Sequence, residues 1–180
     1  VQNYTIIAKG LGIDDKNIVI SRQTHKNNVL KVGRANIGTG IYKEYDYSDV
    51  DGLVTNEKNV ALVTHSADCC ILAFYDPKRQ VIAASHAGWR GTVAEIAKET
   101  LIKMKKEYGC SVEDILVAIA PSIGPCCYEV DTPVYNEFAK LEYLDLPQIF
   151  KDKGNGKYML NLWLANKQIL MQHGVSEKNI

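Results

Sequence analysis

The fold is decided by residues 59–91, NVALVTHSADCCILAFYDPKRQVIAASHAGWRG. This stretch contains three short apolar runs, at residues 59–64, 70–75 and 80–85, whose length and composition are typical of β-strands. Asp-Pro-Lys-Arg at 76–79 separates the last two runs, and proline favours the start of such a turn. The stretch therefore predicts a β-hairpin with a further strand before it.

Helices are predicted on the C-terminal side of this stretch. Thr92 and Glu95 form a capping-box pattern for a helix that ends near Tyr108, with Gly109 as its stop. The other predicted elements are a buried strand at 114–120, a helix from Thr132, a surface loop at 151–157 and a helix at 161–173. Hairpins with inserted helices predict an α+β fold in which mixed β-sheets are sandwiched with helices. We assign residues 1–180 to a single domain.

Composition narrows the classes of partner. Lys and Arg together number 21, as do Asp and Glu, so the formal net charge is zero. A neutral chain gives no electrostatic reason to expect nucleic acid or an anionic membrane, and no apolar run reaches the roughly 20 residues that span a bilayer. Five cysteines in no framework spacing indicate reduced thiols, and the N-terminus shows no secretory signal. We therefore expect a cytoplasmic protein that binds neither nucleic acid nor membranes.

Reactive polar side chains lie where predicted strands end, at three places along the chain. His25 follows the apolar run at 18–20, Cys69 lies between two strands, and His86 ends the hairpin. A single histidine at a strand end is more often a hydrogen-bonded structural residue than a ligand. The spacing of the three is not that of a zinc finger, so a closed structural zinc site has no support. The three residues form one group only if the strand ends converge.

Two imidazoles and a thiolate are a borderline-soft ligand set that suits Zn²⁺ or copper and disfavours Mg²⁺ or Ca²⁺. Three protein ligands leave a tetrahedral ion one open position, which is the arrangement of catalytic zinc sites. His65 is a weaker candidate for a fourth ligand, because residues four apart on an extended segment rarely reach one ion. We predict a catalytic metal site, with zinc or copper, built from His25, Cys69 and His86.

The glycine-rich turn after His86 predicts an anion site. Gly88 and Gly91 let the backbone approach a ligand, and Arg90 offers a guanidinium fork beside the N-terminus of the predicted helix. Asp68 is assigned with them as a substrate-binding residue. The alternative is a tight turn in which Trp89 is in the core and Arg90 binds nearby carbonyls. The residues alone do not decide between the two.

Residues 121–128, PSIGPCCY, form a second irregular segment. Two prolines and a glycine after a buried strand are typical of a binding loop. Adjacent cysteines form a disulfide only with strain, so Cys126 and Cys127 are predicted to be reduced. Whether they line the pocket stays open.

At these residues the sequence resembles the laccase-domain, or YfiH-type, family, long labelled multicopper polyphenol oxidoreductases. The resemblance is carried, in this order, by residues 23–25 (QTH), 67–69 (ADC), 86–91 (HAGWRG) and 123–130 (IGPCCYEV). It covers essentially the whole chain. It implies a fold of mixed sheets and helices related to that of cytotoxic necrotizing factors, with His25, Cys69 and His86 as the metal-binding, active-site residues.

The resemblance also implies a function. Family members are purine nucleoside phosphorylases, which convert adenosine, inosine or methylthioadenosine plus phosphate to the base and ribose 1-phosphate, with adenosine deaminase activity in addition. The family pattern also has an N-terminal Asn-Leu-Gly segment and a C-terminal arginine-rich segment that this sequence lacks. The chain is therefore either a divergent short member or a fragment without both edges, and the family's substrate-binding residues are not fully carried over to it. Cys70 departs from the family's apolar residue, and is either a small hydrophobe or a competing thiol.

Three alternatives remain at this point. A copper-dependent polyphenol oxidase needs many histidines for several coppers, and the chain has four. A metal-free cysteine hydrolase would use Cys69 as nucleophile and His86 as base. A metal-carrying or partner-binding module without catalysis is the third.

Overall fold

The computed structural model describes all 180 residues. The elements, in chain order, are α1 (Gln2–Leu11), β1 (Ile18–Ile20), β2 (Val29–Lys31), β3 (Gly52–Thr55), β4 (Ala61–Val63), β5 (Cys70–Asp76), β6 (Val81–Ala87), α2 (Trp89–Val93), α3 (Ile96–Tyr108), β7 (Leu116–Ile119), β8 (Glu129–Asp131), α4 (Thr132–Ala139), α5 (Leu146–Ile149), β9 (Phe150–Gly154), β10 (Lys157–Leu160) and α6 (Leu162–Gln172). Short 3₁₀ turns connect several of them.

Three sheets are built from the ten strands. The largest has the order β2-β3-β6-β5-β7, in which β2 and β3 are parallel and the other pairs antiparallel. β1 and β4 form a parallel pair, and β8, β10 and β9 form an antiparallel sheet. The sheets are therefore mixed, and the predicted α+β fold is confirmed.

The predicted hairpin is the centre of the large sheet. β5 and β6 pair over seven residues, from Cys70 opposite Ala87 to Asp76 opposite Val81. Asp76 closes the turn, because its side chain accepts hydrogen bonds from the backbone N–H groups of Lys78 (2.9 Å) and Arg79 (3.0 Å). This register fixes which residues of the two strands meet at the open end of the hairpin.

The main core lies between the large sheet and the helices. It contains 26 buried residues, and α3 and α6 contribute to it together with β5 and β6. Leu72 and Phe74 of β5 are buried against this layer, as are Ile96 of α3 and Ile169 of α6. Two smaller clusters lie under the N-terminal segments. The site described below lies where the N-terminal segments meet the large sheet.

The capping box predicted from Thr92 and Glu95 is wrong. A short helix, α2, already begins at Trp89, and α3 begins only at Ile96. Glu95 interrupts them because its backbone is left-handed, with φ of 56°. The Glu95 carboxylate accepts hydrogen bonds from Tyr143 (2.7 Å) and pairs with His173 (2.8 Å), and these contacts hold the strained residue in place.

Two further predictions need correction. The segment 114–120 supplies β7, but this is an edge strand, and Leu116 is exposed while Val117 faces the core. The segment 151–157 is not an irregular loop, because most of it forms β9 and the turn into β10. The sequence does not indicate this hairpin because four of the five residues of β9 are exposed and polar or glycine.

The helices predicted at 161–173 and from Thr132 are confirmed as α6 and α4. Gly109 ends α3 in the left-handed conformation, as predicted. α1 was not predicted, and only Ala8 of its ten residues is buried. None of the helices combines the length and the apolar character that crossing a membrane requires.

Candidate metal centre and active site

The structure brings His25, Cys69 and His86 together. One ligand atom from each lies within 4.8 Å of the others, and these three are the chain's one group of this kind. The two imidazole rings are 4.8 Å apart at 78°. The hairpin register explains part of this: Cys70 is opposite Ala87, which puts Cys69 beside Gly88 at the open end of β5 and β6. His25 lies in the loop that follows β1.

Asp51 holds both histidines. Its fully buried carboxylate accepts backbone hydrogen bonds from Thr24, His25 and Lys26, each at 3.0 Å. The His86 Nδ1–H donates to the same carboxylate at 2.9 Å. His25 has a φ of 63°, a left-handed backbone that costs free energy for a non-glycine residue, and the Asp51 bonds hold it there. One side chain therefore orients the loop of His25 and the ring of His86.

The contact between Asp51 and His86 favours the protonated, positively charged form of the His86 ring. Burial lowers the pKa of His86, but hydrogen bonds with Asp51 and Cys69 outweigh it and raise the pKa to about 9. Burial raises the pKa of the Asp51 carboxyl, while the bonds from His86 and the three N–H groups bring it below its usual range. Asp51 is thus an anion, and a cation beside His86 would find compensating charge.

The donor set fits a borderline-soft metal ion. Asp51 occupies Nδ1 of His86, which leaves Nε2 for the group with Cys69 and His25. A carboxylate that binds the far nitrogen of a ligating histidine is the usual outer partner of such a ligand. Zn²⁺ and copper match two imidazoles and one thiolate. His25, Cys69 and His86 would hold the ion, and Asp51, which supports the two histidines, was not predicted from the sequence.

Gln23 forms hydrogen bonds that hold the start of the loop carrying His25. Its side-chain oxygen accepts from Ser21 (2.9 Å), Thr64 (3.0 Å) and the backbone of His65 (2.8 Å). Its amide donates to the His65 carbonyl at 2.8 Å. Gln23 therefore joins the ends of β1 and β4, beyond the last paired residues of the two strands, and fixes the start of the loop that carries His25.

Gly88 is required by close packing. A Cβ atom at this position would lie 2.8 Å from Cys69 Sγ and 3.2 Å from His25 Cδ2. Its φ of −64° is ordinary, so the backbone itself does not demand glycine. The missing side chain is what lets Cys69 and His25 sit together.

A cavity of 640 Å³ opens at the three candidate ligands. Asp68, which is assigned to substrate binding from the sequence, is on its wall, and so is His65. His65 is not part of the ligand group, because its Nε2 lies 2.6 Å from the Tyr4 hydroxyl. Arg22 and Tyr45 also line the cavity, and neither was predicted from the sequence to lie there.

The predicted anion site is only partly assembled. Gly88 adjoins the ligand group, and a Cβ at Gly91 would lie 3.2 Å from the His86 carbonyl oxygen. Arg90 is exposed, its guanidinium lies 4.3 Å from the centre of the Trp89 ring, and it does not line the cavity. α2 has five residues and no side-chain cap. The expected long-helix N-terminus at Thr92 is therefore absent.

The other cysteines lie outside the ligand group. Cys70 is fully buried in the main core, with its Sγ 3.2 Å from Ser122 Oγ, so it is placed as a small core residue. Cys126 and Cys127 are exposed, with their sulfurs 3.1 Å apart and no disulfide. Neither lines the cavity at the ligands.

Comparison with known proteins adds independent findings. A family model described as multi-copper polyphenol oxidoreductase laccase matches residues 1–180. A purine nucleoside phosphorylase of Bacteroides thetaiotaomicron is 38% identical over 176 residues, covering 97% of this chain and 65% of that protein. The purine nucleoside phosphorylase YlmD of Bacillus subtilis is 36% identical over 182 residues, covering 100% of this chain and 65% of YlmD. The chain thus spans 65% of the length of these relatives.

Solved structures are similar over the same span. The hypothetical protein YfiH of Bacillus licheniformis superposes with a TM-score of 0.93 at 32% identity, covering 99% of this chain and 67% of YfiH. YlmD of Geobacillus stearothermophilus has a TM-score of 0.92, also at 32% identity, with coverage of 99% and 66%. The architecture described above is therefore shared with these proteins.

Proposed function

The chain belongs to the multi-copper polyphenol oxidoreductase laccase family, and from this premise we propose that it is a metal-dependent purine nucleoside phosphorylase. Relatives of that name support the proposal at 38% and 36% identity. The observation that carries it is the group of His25, Cys69 and His86 at one cavity, supported by Asp51. The substrates proposed are adenosine, inosine and methylthioadenosine with phosphate, and adenosine deamination is a proposed second activity.

Zn²⁺ is the proposed ion, with copper as the alternative that the same donors accept. When bound, such an ion supplies Lewis-acid polarisation of a substrate oxygen or nitrogen in the cavity. The chain's own contribution is positional. Asp51 fixes the ring of His86 and the backbone at His25, and Gly88 leaves room for Cys69.

Phosphorolysis requires a phosphate oxygen to form a bond to the anomeric carbon of ribose while the bond to the purine nitrogen breaks. The departing base keeps the electron pair and takes up a proton. A cationic side chain must therefore hold the phosphate, and the sugar needs partners for its hydroxyl groups. Asp68, on the cavity wall, is a proposed acceptor for a substrate hydroxyl. Arg90, Gly88 and Gly91 remain the anion-binding residues proposed from the sequence.

A second candidate function rests on one observation. Asp51 is hydrogen-bonded to the His86 ring, and Cys69 Sγ lies within 4.8 Å of the ring's ligand nitrogen, an order of acid, imidazole and thiol that resembles a cysteine hydrolase. In that case Cys69 would attack an acyl carbon without a metal. A chelator separates the two functions, because a hydrolase that needs only these three residues keeps its activity.

Oxidation of phenols by several coppers finds less support. The chain has four histidines, and two of them have other partners: His65 adjoins Tyr4, and His173 pairs with Glu95. One group of three ligands is present. A single ion does not provide the several coppers that four-electron oxygen chemistry needs.

The test of the proposed function is release of hypoxanthine from inosine and phosphate. We expect the purified chain to release hypoxanthine and ribose 1-phosphate in equal amounts, and only when phosphate is present. Cys69→Ala should lower kcat/KM by about a hundredfold or more, because several kcal/mol of catalysis is lost with the ion. Cys126→Ala, a matched change at an exposed cysteine, should leave the rate within about twofold.

Two results would contradict the proposal. Phosphate-independent release of base would indicate hydrolysis rather than phosphorolysis. Equal rates in wild type and Cys69→Ala would show that the candidate metal ligands take no part in the reaction.

A further inference from the structure

Arg22 is the one arginine or lysine on the wall of the cavity at the ligand group. It follows Ser21 at the end of β1, and its carbonyl accepts a hydrogen bond from the Val50 backbone at 3.0 Å. This bridge ties the Arg22 backbone to the segment that leads into Asp51. The position of Arg22 is thus coupled to the same framework that orients His25 and His86.

The side chain of Arg22 lies over an aromatic ring. Its guanidinium carbon is 5.5 Å from the centre of the Tyr45 ring, and Tyr45 also lines the cavity. Stacking on a ring face orients a guanidinium while leaving its N–H edge available to a ligand. Tyr45 therefore acts as a platform for the charge.

No carboxylate lies within 4.0 Å of the Arg22 guanidinium. Arg34, by comparison, is paired with Glu57 at 3.9 Å. An unpaired guanidinium on the wall of a concave site favours an anionic ligand. Asp68 is the one carboxylate that lines this cavity and would repel an anion, so Arg22 is the charged partner that an anion has on this wall.

We infer that Arg22, held over Tyr45, binds the phosphate group of the ligand in this cavity. The inference rests on the proposed function for the identity of the anion. It differs from the role proposed for Arg90, whose guanidinium lies over Trp89 and outside the cavity. Inorganic phosphate and the phosphate of a nucleoside 5′-monophosphate are two sources of the same chemistry.

The test compares Arg22→Gln, Arg22→Lys, Arg90→Gln and Arg34→Gln with wild type. Calorimetric titration measures binding of inorganic phosphate, and steady-state kinetics measure KM for phosphate and for inosine. We expect Arg22→Gln to weaken phosphate binding and raise its KM by roughly tenfold to a hundredfold, which is the effect of losing one charge-assisted pair. KM for inosine should stay within about twofold, and Arg22→Lys should recover part of the loss because the charge remains.

Arg34→Gln should bind phosphate as wild type does, and Arg90→Gln should lose less than Arg22→Gln. A second arm titrates inosine 5′-monophosphate in place of phosphate: loss confined to this arm assigns Arg22 to the ester phosphate, and loss in the phosphate arm assigns it to the inorganic co-substrate. Both outcomes support an Arg22 phosphate site.

The inference is overturned if Arg22→Gln binds both ligands as wild type does, if Arg90→Gln alone loses phosphate, or if wild type binds neither ligand. Failure of the proposed function gives a different pattern. In that case no hypoxanthine is released, while calorimetry still shows binding that Arg22→Gln loses.

Discussion

Asp51→Ala should lower the free energy of unfolding by about 3 to 5 kcal/mol and leave the His25 loop and the His86 ring without a fixed position. The substitution leaves three backbone N–H donors and the His86 Nδ1–H without their shared acceptor. The left-handed backbone at His25 also loses its support. Denaturant unfolding of purified protein measures the change, and metal titration of the folded fraction measures the loss of the site.

Asp49 provides the matched control. It lies two residues away but is only half-buried, and its carboxylate binds the Lys26 side chain and the Thr24 hydroxyl rather than the backbone of His25 or the ring of His86. Asp49→Ala should therefore cost about 1 kcal/mol or less. Asp51→Asn keeps the volume and one acceptor oxygen, so it should lie between the two. Equal costs for Asp49→Ala and Asp51→Ala would show that the Asp51 bonds do not organise the site.

Gly88→Ala should weaken metal binding by about tenfold to a hundredfold, while the fold remains intact. The added Cβ would meet Cys69 Sγ at 2.8 Å and His25 Cδ2 at 3.2 Å, so one of these side chains must move. The backbone at Gly88 suits alanine, with φ of −64°, so the effect comes from this contact rather than from backbone strain. Competition with a coloured chelator measures the affinity.

The control is Gly10→Ala in α1, where an added Cβ has nothing within 4 Å. That variant should bind metal as wild type does and be slightly more stable, because alanine favours a helix. Wild-type affinity in Gly88→Ala would mean that His25 and Cys69 do not hold one ion together.

The sequence predicted the part of the fold that has strong local signals. The hairpin of β5 and β6 was predictable because its apolar runs flank Asp76-Pro77, and Gly109 marked the end of α3. The hairpin also carries two of the three candidate ligands, Cys69 beside one strand and His86 on the other. Their proximity follows from strand pairing, which is why it was predictable.

The remaining features depend on tertiary contacts that no local pattern records. Glu95 takes a left-handed conformation because Tyr143 and His173, far along the chain, hold its carboxylate. Asp51 has no neighbouring motif, since the loop and ring that it binds come from elsewhere in the sequence. Asp51 lies directly before β3, and its burial, which only the fold shows, is what requires these partners.

Arg22 and Tyr45 were missed for a related reason. Neither residue belongs to a recognisable motif in the sequence. Only the fold puts both on the wall of the cavity at the ligands. Arg90 stands in the shared HAGWRG motif at 86–91, yet it lies outside that cavity. Arg22 and Tyr45 are therefore better candidates for ligand contacts than Arg90, because they lie at the cavity.

The most direct measurement is elemental analysis of the chain purified without added metal, on wild type and on His25→Ala. We predict one equivalent of zinc or copper per wild-type chain and less than about a tenth of that in His25→Ala, with His173→Ala retaining the ion because His173 lies outside the ligand group. Equal metal content in wild type and His25→Ala, or a wild-type chain that takes up no ion even when zinc is supplied, would contradict a metal centre at His25, Cys69 and His86.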